Sequence, residues 1–108
     1  MDKITQIIKE YIKLLSRSIK VDKVILFGSC ANGNPDKWSD VDLAIISPDF
    51  RLRNHIENLQ LLSSLNSREV SWLIEALPYT PEEYENADSR SFLGEIKRTG
   101  RTVYQESY

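Results

Sequence analysis

The stretch ILFGSCANGNPDKWSDVDLAII, residues 25–46, decides the fold that this sequence predicts. The apolar runs at its two ends are typical of buried strands, and a loop rich in Gly, Asn, Pro and Asp separates them. Two aspartates, Asp40 and Asp42, stand where the second run begins. Because successive side chains of a strand point to opposite faces, both carboxylates are expected on one face, about 7 Å apart.

Two carboxylates placed so closely repel each other, and burying either one unpaired would cost several kcal/mol. A divalent cation between them would remove both difficulties. Mg²⁺ takes oxygen ligands and is often held by one or two carboxylates together with substrate phosphates. Two such ions can clamp the attacking and leaving oxygens of a phosphoryl displacement. The alternative is that Asp40 and Asp42 lie on a solvated strand edge or cap the loop.

The Gly28-Ser29 pair at the end of the first run predicts a place where a phosphate can approach the backbone. If a helical turn follows, its N–H groups and its dipole favour an anion, and the Ser29 hydroxyl adds one donor. A plain turn from strand to loop is the alternative reading of this pair. A phosphate cradle beside a pair of metal-binding carboxylates is a more specific pattern than either motif alone.

The rest of the chain divides into short helices and strands. An amphipathic first helix, with Asp2 as its N-cap, is predicted from apolar residues at helical spacing: Ile4, Ile7, Ile8, Tyr11, Ile12, Leu15 and Ile19. Strands are expected over residues 22–28 and 41–46, with the second ending at Ser47-Pro48. A second helix is marked by Leu52, Ile56, Leu59, Leu62 and Leu65.

The last third of the chain predicts a strand over 70–77, although its Leu, Glu and Ala residues also suit a helix. Thr80-Pro81 has the form of a helix start, with Glu83 completing a capping box. A last helix runs through Phe92, Leu93 and Ile96 and ends near Gly100, and residues 101–104 add a short strand. The order αβ-βα-βα-β predicts an α/β (α+β) two-layer sandwich, a small mixed sheet with helices packed on one face.

Composition indicates one globular domain spanning residues 1–108. The chain has 108 residues, 41% of them hydrophobic and 28% charged, which suits a single core. A formal net charge of −2 argues against a protein that grips nucleic acid through its phosphates. Lys97, Arg98 and Arg101 cluster near the C-terminus, where cations suit a helix end.

The sequence also bears on the compartment. Its one cysteine, Cys30, can form no internal disulfide, which fits a reducing environment. The first residues carry charges throughout and do not form a signal peptide, and no apolar run is long enough to cross a membrane. A cytoplasmic protein is expected.

Gly28-Ser29, ten intervening residues (30–39) and then Asp40-Val41-Asp42 resemble the Gly-Ser…Asp-x-Asp signature of the DNA polymerase β-like nucleotidyltransferase superfamily. The short length resembles the minimal nucleotidyltransferase (MNT) subgroup, which is often encoded beside a HEPN-domain partner as a toxin–antitoxin pair. SDVDLAII, residues 39–46, looks like the second strand of the family, and the C-terminal third resembles the tail of many members. The resemblance covers the chain from about residue 22 onward.

This resemblance implies transfer of a nucleoside monophosphate, AMP from ATP in our expectation, to a hydroxyl on a HEPN-type partner, with the protein acting as an antitoxin. It implies Asp40 and Asp42 as catalytic ligands of two Mg²⁺ ions. Glu75 is the candidate third carboxylate, catalytic and metal-binding, and Glu69 is the fallback. The residues expected to bind the nucleotide are Gly28, Ser29, Asn32 and Ser39. Relatives often carry a basic residue where this chain has Asn32. Because Asn32 is uncharged, its hydrogen bond to a triphosphate would be weaker than that of a basic residue.

Two other functions stay open at this point. The chain could be a non-catalytic or weakly catalytic antitoxin that neutralises a HEPN partner by forming a complex with it. It could also be a nucleotidyltransferase that acts on a small molecule. The sequence names neither the acceptor nor the preferred base, and it leaves a homo-oligomer possible.

Overall fold

The computed structural model describes residues 3–28, 41–65 and 74–106. These residues form four helices, one 3₁₀ helix and four strands. In chain order they are α1 (Lys3–Leu15), β1 (Lys23–Phe27), β2 (Val41–Ile46), the 3₁₀ helix (Pro48–Leu52), α2 (His55–Ser64), β3 (Ile74–Tyr79), α3 (Pro81–Glu85), α4 (Phe92–Thr99) and β4 (Arg101–Gln105).

The four strands form one mixed sheet in the order β3-β2-β1-β4. β1 pairs antiparallel with both β2 and β4, whereas β2 and β3 run parallel. The parallel pair needs a long crossover, and α2 supplies part of it. This arrangement places β1 and β2 at the centre of the sheet, where their apolar residues are almost all buried.

One face of the sheet carries the larger core. α1 covers it with a stripe at helical spacing, and Leu62 of α2 packs there too. The strand residues facing these helices alternate along each strand: Val24, Leu26, Val41, Leu43, Ile45 and Ile74. Burying each Leu, Ile or Val side chain stabilises the fold by about 1.5–3 kcal/mol relative to exposure, so this cluster supplies most of the hydrophobic stabilisation.

The opposite face carries a smaller core, which corrects one detail of the expected architecture. The small mixed sheet and the α+β class are confirmed, but only α1 and α2 share a face. Leu93 and Ile96 of α4 pack on Ile25 and Ala44, which point to the other side. β1 and β2 are apolar on both faces, and such strands are usually covered on both sides.

Local signals at the other element ends are confirmed with small shifts. The Thr80 hydroxyl accepts the backbone N–H of Glu83, and the Glu83 carboxylate accepts that of Thr80, so the predicted capping box starts α3. The third apolar run is a strand rather than a helix, over Ile74–Tyr79. The expected positions 70–73 and the Asp2 cap lie outside the described residues.

The segment after β2 forms two helical pieces rather than one. Ser47 caps the 3₁₀ helix by accepting the Asp49 N–H, with Pro48 in its first position. Asn54 then caps α2 with a full capping box to Glu57. A side chain that caps each start explains the break, because it satisfies backbone donors that a continuous helix would bond internally. Across the described segments, the helices are all too short or too polar to traverse a lipid bilayer.

Candidate active site

Gly28 follows β1 with a φ of +79°, a conformation that residues with a side chain rarely adopt. A Cβ at this position would lie 2.5 Å from Oδ2 of Asp42, well inside normal contact distance. Glycine is therefore required here for two reasons, the backbone angle and the close approach of a carboxylate. The strand end and the Asp42 carboxylate form one compact unit.

Three neighbouring strands bring Phe27, Asp42 and Glu75 into one row. Phe27 is the partner of Asp42 in the antiparallel pair of β1 and β2, and Asp42 is the partner of Glu75 in the parallel pair of β2 and β3. Adjacent strands lie about 4.8 Å apart, and paired residues project from the same face. Glu75 and the preceding residue, Ile74, point to opposite faces of β3, since Ile74 belongs to the core on the other face.

A cavity of about 500 Å³ opens beside this row. Residues from all three strands and from α4 line it: Phe27, Gly28, Asp42, Glu75, Leu77, Phe92, Glu95, Ile96 and Thr99. This described lining includes three carboxylates and no Lys, Arg or His. Both the strand side and the α4 side of the cavity therefore carry carboxylates as well as apolar side chains.

Asp42 and Glu75 have the donor chemistry of a magnesium site. Mg²⁺ is usually bound through one or two protein carboxylates, with waters and substrate phosphates completing its octahedron. Asp42 is half-buried and Glu75 is exposed, so both can present oxygens to the cavity. Within the described ranges, no three Asp, Glu, His or Cys residues are close enough to hold a metal together. Asp40, two residues before Asp42, lies outside those ranges.

The predicted site residues divide into two groups. Gly28, Asp42 and Glu75 come together at the cavity, although they are far apart in the chain. The others lie outside the described residues: Ser29, Asn32, Ser39, Asp40 and the fallback Glu69. Their places in the site stay predictions.

The contribution of α4 to the cavity was not predicted from the sequence. Phe92, Glu95, Ile96 and Thr99 follow the spacing i, i+3, i+4, i+7, so they share one helix face. The sequence predicted only that the last helix runs through Phe92, and the structure leaves this residue 58% exposed at the cavity. The spacing of these residues in the sequence indicates that they share one face of α4. It does not indicate which strands that face would pack against.

Lys97 and Arg98, two of the basic residues near the C-terminus, do not line this cavity. Nζ of Lys97 donates to the carbonyl oxygens of Tyr84 and Glu85, at 3.1 and 3.3 Å. Nη1 of Arg98 donates to the Ser89 carbonyl at 2.9 Å. Lys97 therefore binds the last turn of α3, and Arg98 binds the loop that joins α3 to α4.

Two groups with shifted pKa values lie away from the cavity. At the far end of the sheet, hydrogen bonding to Arg51 lowers the pKa of Glu82, and burial raises the pKa of Tyr79. The placement of the carboxylates beside Gly28 is the feature that marks the cavity as the candidate site.

Comparisons with known proteins identify the family of this chain. The nucleotidyltransferase domain model matches residues 5–98. A "putative protein adenylyltransferase" of Methanocaldococcus jannaschii is 33% identical over 102 residues, which cover 93% of this chain and 98% of that protein.

Two crystal structures share the fold. A "putative nucleotidyltransferase" from Sulfolobus solfataricus superposes with a TM-score of 0.71 at 14% identity, covering 94% of this chain and 80% of that one. A toxin–antitoxin crystallised with AMP-PNP superposes with a TM-score of 0.57 at 25% identity, covering 91% and 73%. With a family model spanning most of the sequence and a relative matched along nearly its whole length, the chain belongs to the nucleotidyltransferase domain family and is a nucleotidyltransferase.

Proposed function

We propose that this nucleotidyltransferase transfers AMP from ATP to a hydroxyl group on a partner protein, and that it uses Mg²⁺. The observation that carries the proposal is the row formed by Asp42 and Glu75 beside Gly28, at the mouth of a cavity. The relative described as a protein adenylyltransferase supports AMP as the group and a protein as the acceptor.

In this proposal the acceptor oxygen attacks the α-phosphorus of ATP. A new phosphorus–oxygen bond forms, the bond from the α-phosphorus to the bridging oxygen breaks, and pyrophosphate leaves. Glu75 is the group we assign to receive the proton of the acceptor hydroxyl, since it is exposed at the cavity. Gly28 lets the phosphates approach the backbone, and Ser29, Asn32 and Ser39 are proposed to donate hydrogen bonds to them.

Asp40, Asp42 and Glu75 are the proposed ligands of Mg²⁺. Two Mg²⁺ ions are proposed, by analogy with the family. When bound, such ions offset negative charge that develops on the attacking and leaving oxygens. Gly28 leaves the Asp42 carboxylate room that a side chain would fill, so a larger residue at this position would displace the proposed ligand.

We further propose that the partner is a HEPN-domain toxin, that this chain acts as its antitoxin, and that both lie in the cytoplasm. A toxin–antitoxin with a nucleotide analogue among the structural neighbours supports a protein partner. The family resemblance suggests the HEPN type, and ATP consumption together with a lone cysteine suggests the compartment.

Label transfer from [α-³²P]ATP to the partner tests the proposed chemistry. The Asp42→Asn variant should abolish transfer while the circular dichroism spectrum and the urea midpoint stay near those of the wild type. Glu10→Gln, an exposed change on α1, is the matched control and should transfer label normally. Transfer retained by Asp42→Asn would contradict the assigned role.

Protection of cells from the toxin separates chemistry from masking. If a variant that lacks both Asp40 and Asp42 carboxylates forms the complex and still protects, the protein neutralises its partner by binding. If the complex forms and protection is lost, neutralisation requires nucleotidyl transfer.

A further inference from the structure

The cavity has a second wall, which the proposed nucleotide chemistry does not use. Phe92 begins α4, and its ring meets that of Phe27 edge to face, with centroids 5.8 Å apart and planes at 85°. This contact fixes the Phe92 ring, yet 58% of the side chain remains exposed. A fixed and exposed aromatic ring at a cavity offers a face on which a planar group can stack.

Glu95 lies one helical turn after Phe92 on the same side of α4. The two basic residues that follow it, Lys97 and Arg98, donate to backbone carbonyls of residues 84, 85 and 89. Across the described part of the chain, no ion pair involves the Glu95 carboxylate. Its charge therefore faces the cavity without a neutralising neighbour from those residues.

The charge of the α4 wall disfavours the polyphosphate of ATP. The proposed Mg²⁺ ions would offset the charges of Asp42 and Glu75, whereas Glu95 is not among their proposed ligands, and the described lining contains no Lys, Arg or His to offset its charge. Like charges in a partly enclosed site repel strongly because water screens them poorly. The phosphates are therefore expected at the Gly28 side, which leaves the α4 wall for the acceptor.

We propose that Phe92 and Glu95 form the acceptor subsite, and that they select a polypeptide segment in which an arginine adjoins the hydroxyl-bearing residue. This inference rests on the proposed function. An arginine matches both groups at once, because its planar guanidinium stacks on an aromatic ring and pairs with a carboxylate. Phe92 and Glu95 are specificity residues here, and the reacting groups remain those described above.

Binding of two labelled peptides tests this subsite directly. One peptide carries a central serine flanked by arginines, and the other replaces the arginines with citrulline, which keeps the shape and removes the charge. Fluorescence anisotropy is measured with Mg²⁺ and AMP-PNP present. We expect the arginine peptide to bind about tenfold more tightly, the scale of one charge-assisted hydrogen bond.

The variants Glu95→Gln and Phe92→Ala should each remove most of that preference and leave AMP-PNP affinity unchanged. Glu10→Gln, on the distant exposed face of α1, should change neither measurement. Calorimetry of AMP-PNP binding on the same proteins reports the nucleotide site separately.

The possible failures are distinguishable. A protein that binds AMP-PNP with Mg²⁺ but prefers neither peptide, or binds neither, overturns the acceptor subsite alone. A Phe92→Ala variant that weakens AMP-PNP and leaves the peptide preference intact overturns it as well, because the ring would then serve the base. Failure of the wild type to bind AMP-PNP would overturn the proposed function and the subsite together.

Discussion

Replacing Gly28 with alanine should affect stability and activity by two separate routes. The φ of +79° places Gly28 in a region that costs a residue with a side chain about 1–2 kcal/mol. The free energy of unfolding should fall by that amount, unless the loop relaxes. This is the purely conformational part of the effect, and it concerns every folded molecule whether or not ligand is present.

The second route acts through Asp42. The added Cβ would lie 2.5 Å from Oδ2, while ordinary contacts begin at 3.4 Å, so the carboxylate must retreat by about 0.9 Å. A misplacement of about 1 Å in a catalytic arrangement can cost on the order of 100-fold in rate. Nucleotidyl transfer per folded molecule should fall by about that factor.

Urea denaturation followed by circular dichroism measures the first effect, and label transfer from [α-³²P]ATP at a known folded fraction measures the second. Gly100→Ala is the matched control. Gly100 ends α4 with a φ of −76°, and a Cβ there would lie 2.6 Å from Cγ2 of Ile25. This variant should lose stability but keep its transfer rate per folded molecule. Wild-type transfer by folded Gly28→Ala would refute the proposed coupling to Asp42.

Three further predictions concern stability. The Tyr11 hydroxyl is buried without a hydrogen-bond partner in the described part of the chain. Tyr11→Phe should therefore raise the free energy of unfolding by about 1 kcal/mol. A urea titration should show a higher midpoint and an unchanged dependence of that free energy on urea concentration. Burial raises the pKa of the Tyr11 hydroxyl from 10 to about 12, so the unfolded chain loses this proton at a lower pH than the folded protein does. The free energy of unfolding of the wild type should therefore fall by up to about 2.7 kcal/mol between pH 10 and 12. Tyr11→Phe should not show this loss. The bond from Arg51 lowers the pKa of Glu82 below 4.5, so its stabilisation is present above that pH and is lost as pH falls through the lowered value. Thermal melts of Glu82→Gln should therefore depend less on pH in acid than those of the wild type, and an equal dependence would count against the pair. Thr80→Ala removes the cap of α3 and should cost about 1 kcal/mol in a urea titration, whereas Thr80→Ser should cost less.

The sequence alone determined the features that depend on neighbours along the chain. Alternation and turn residues predicted β2 with the bounds observed, and Thr80-Pro81 predicted the start of α3. Gly28 and Asp42 were recognised because a glycine after a strand and a carboxylate in the next strand form a local pattern. The structure added that the glycine is also needed for contact with Asp42.

The tertiary structure decided which faces meet. The amphipathic spacing of α4 shows that the helix buries one side, but it carries no information about which face of the sheet receives it. Ile25 and Ala44 receive it, and this packing brings Phe92 and Glu95 to the cavity with Asp42 and Glu75. Periodicity is a property of one segment, whereas the partner of a buried face is set by how all the apolar surfaces of the chain are covered together.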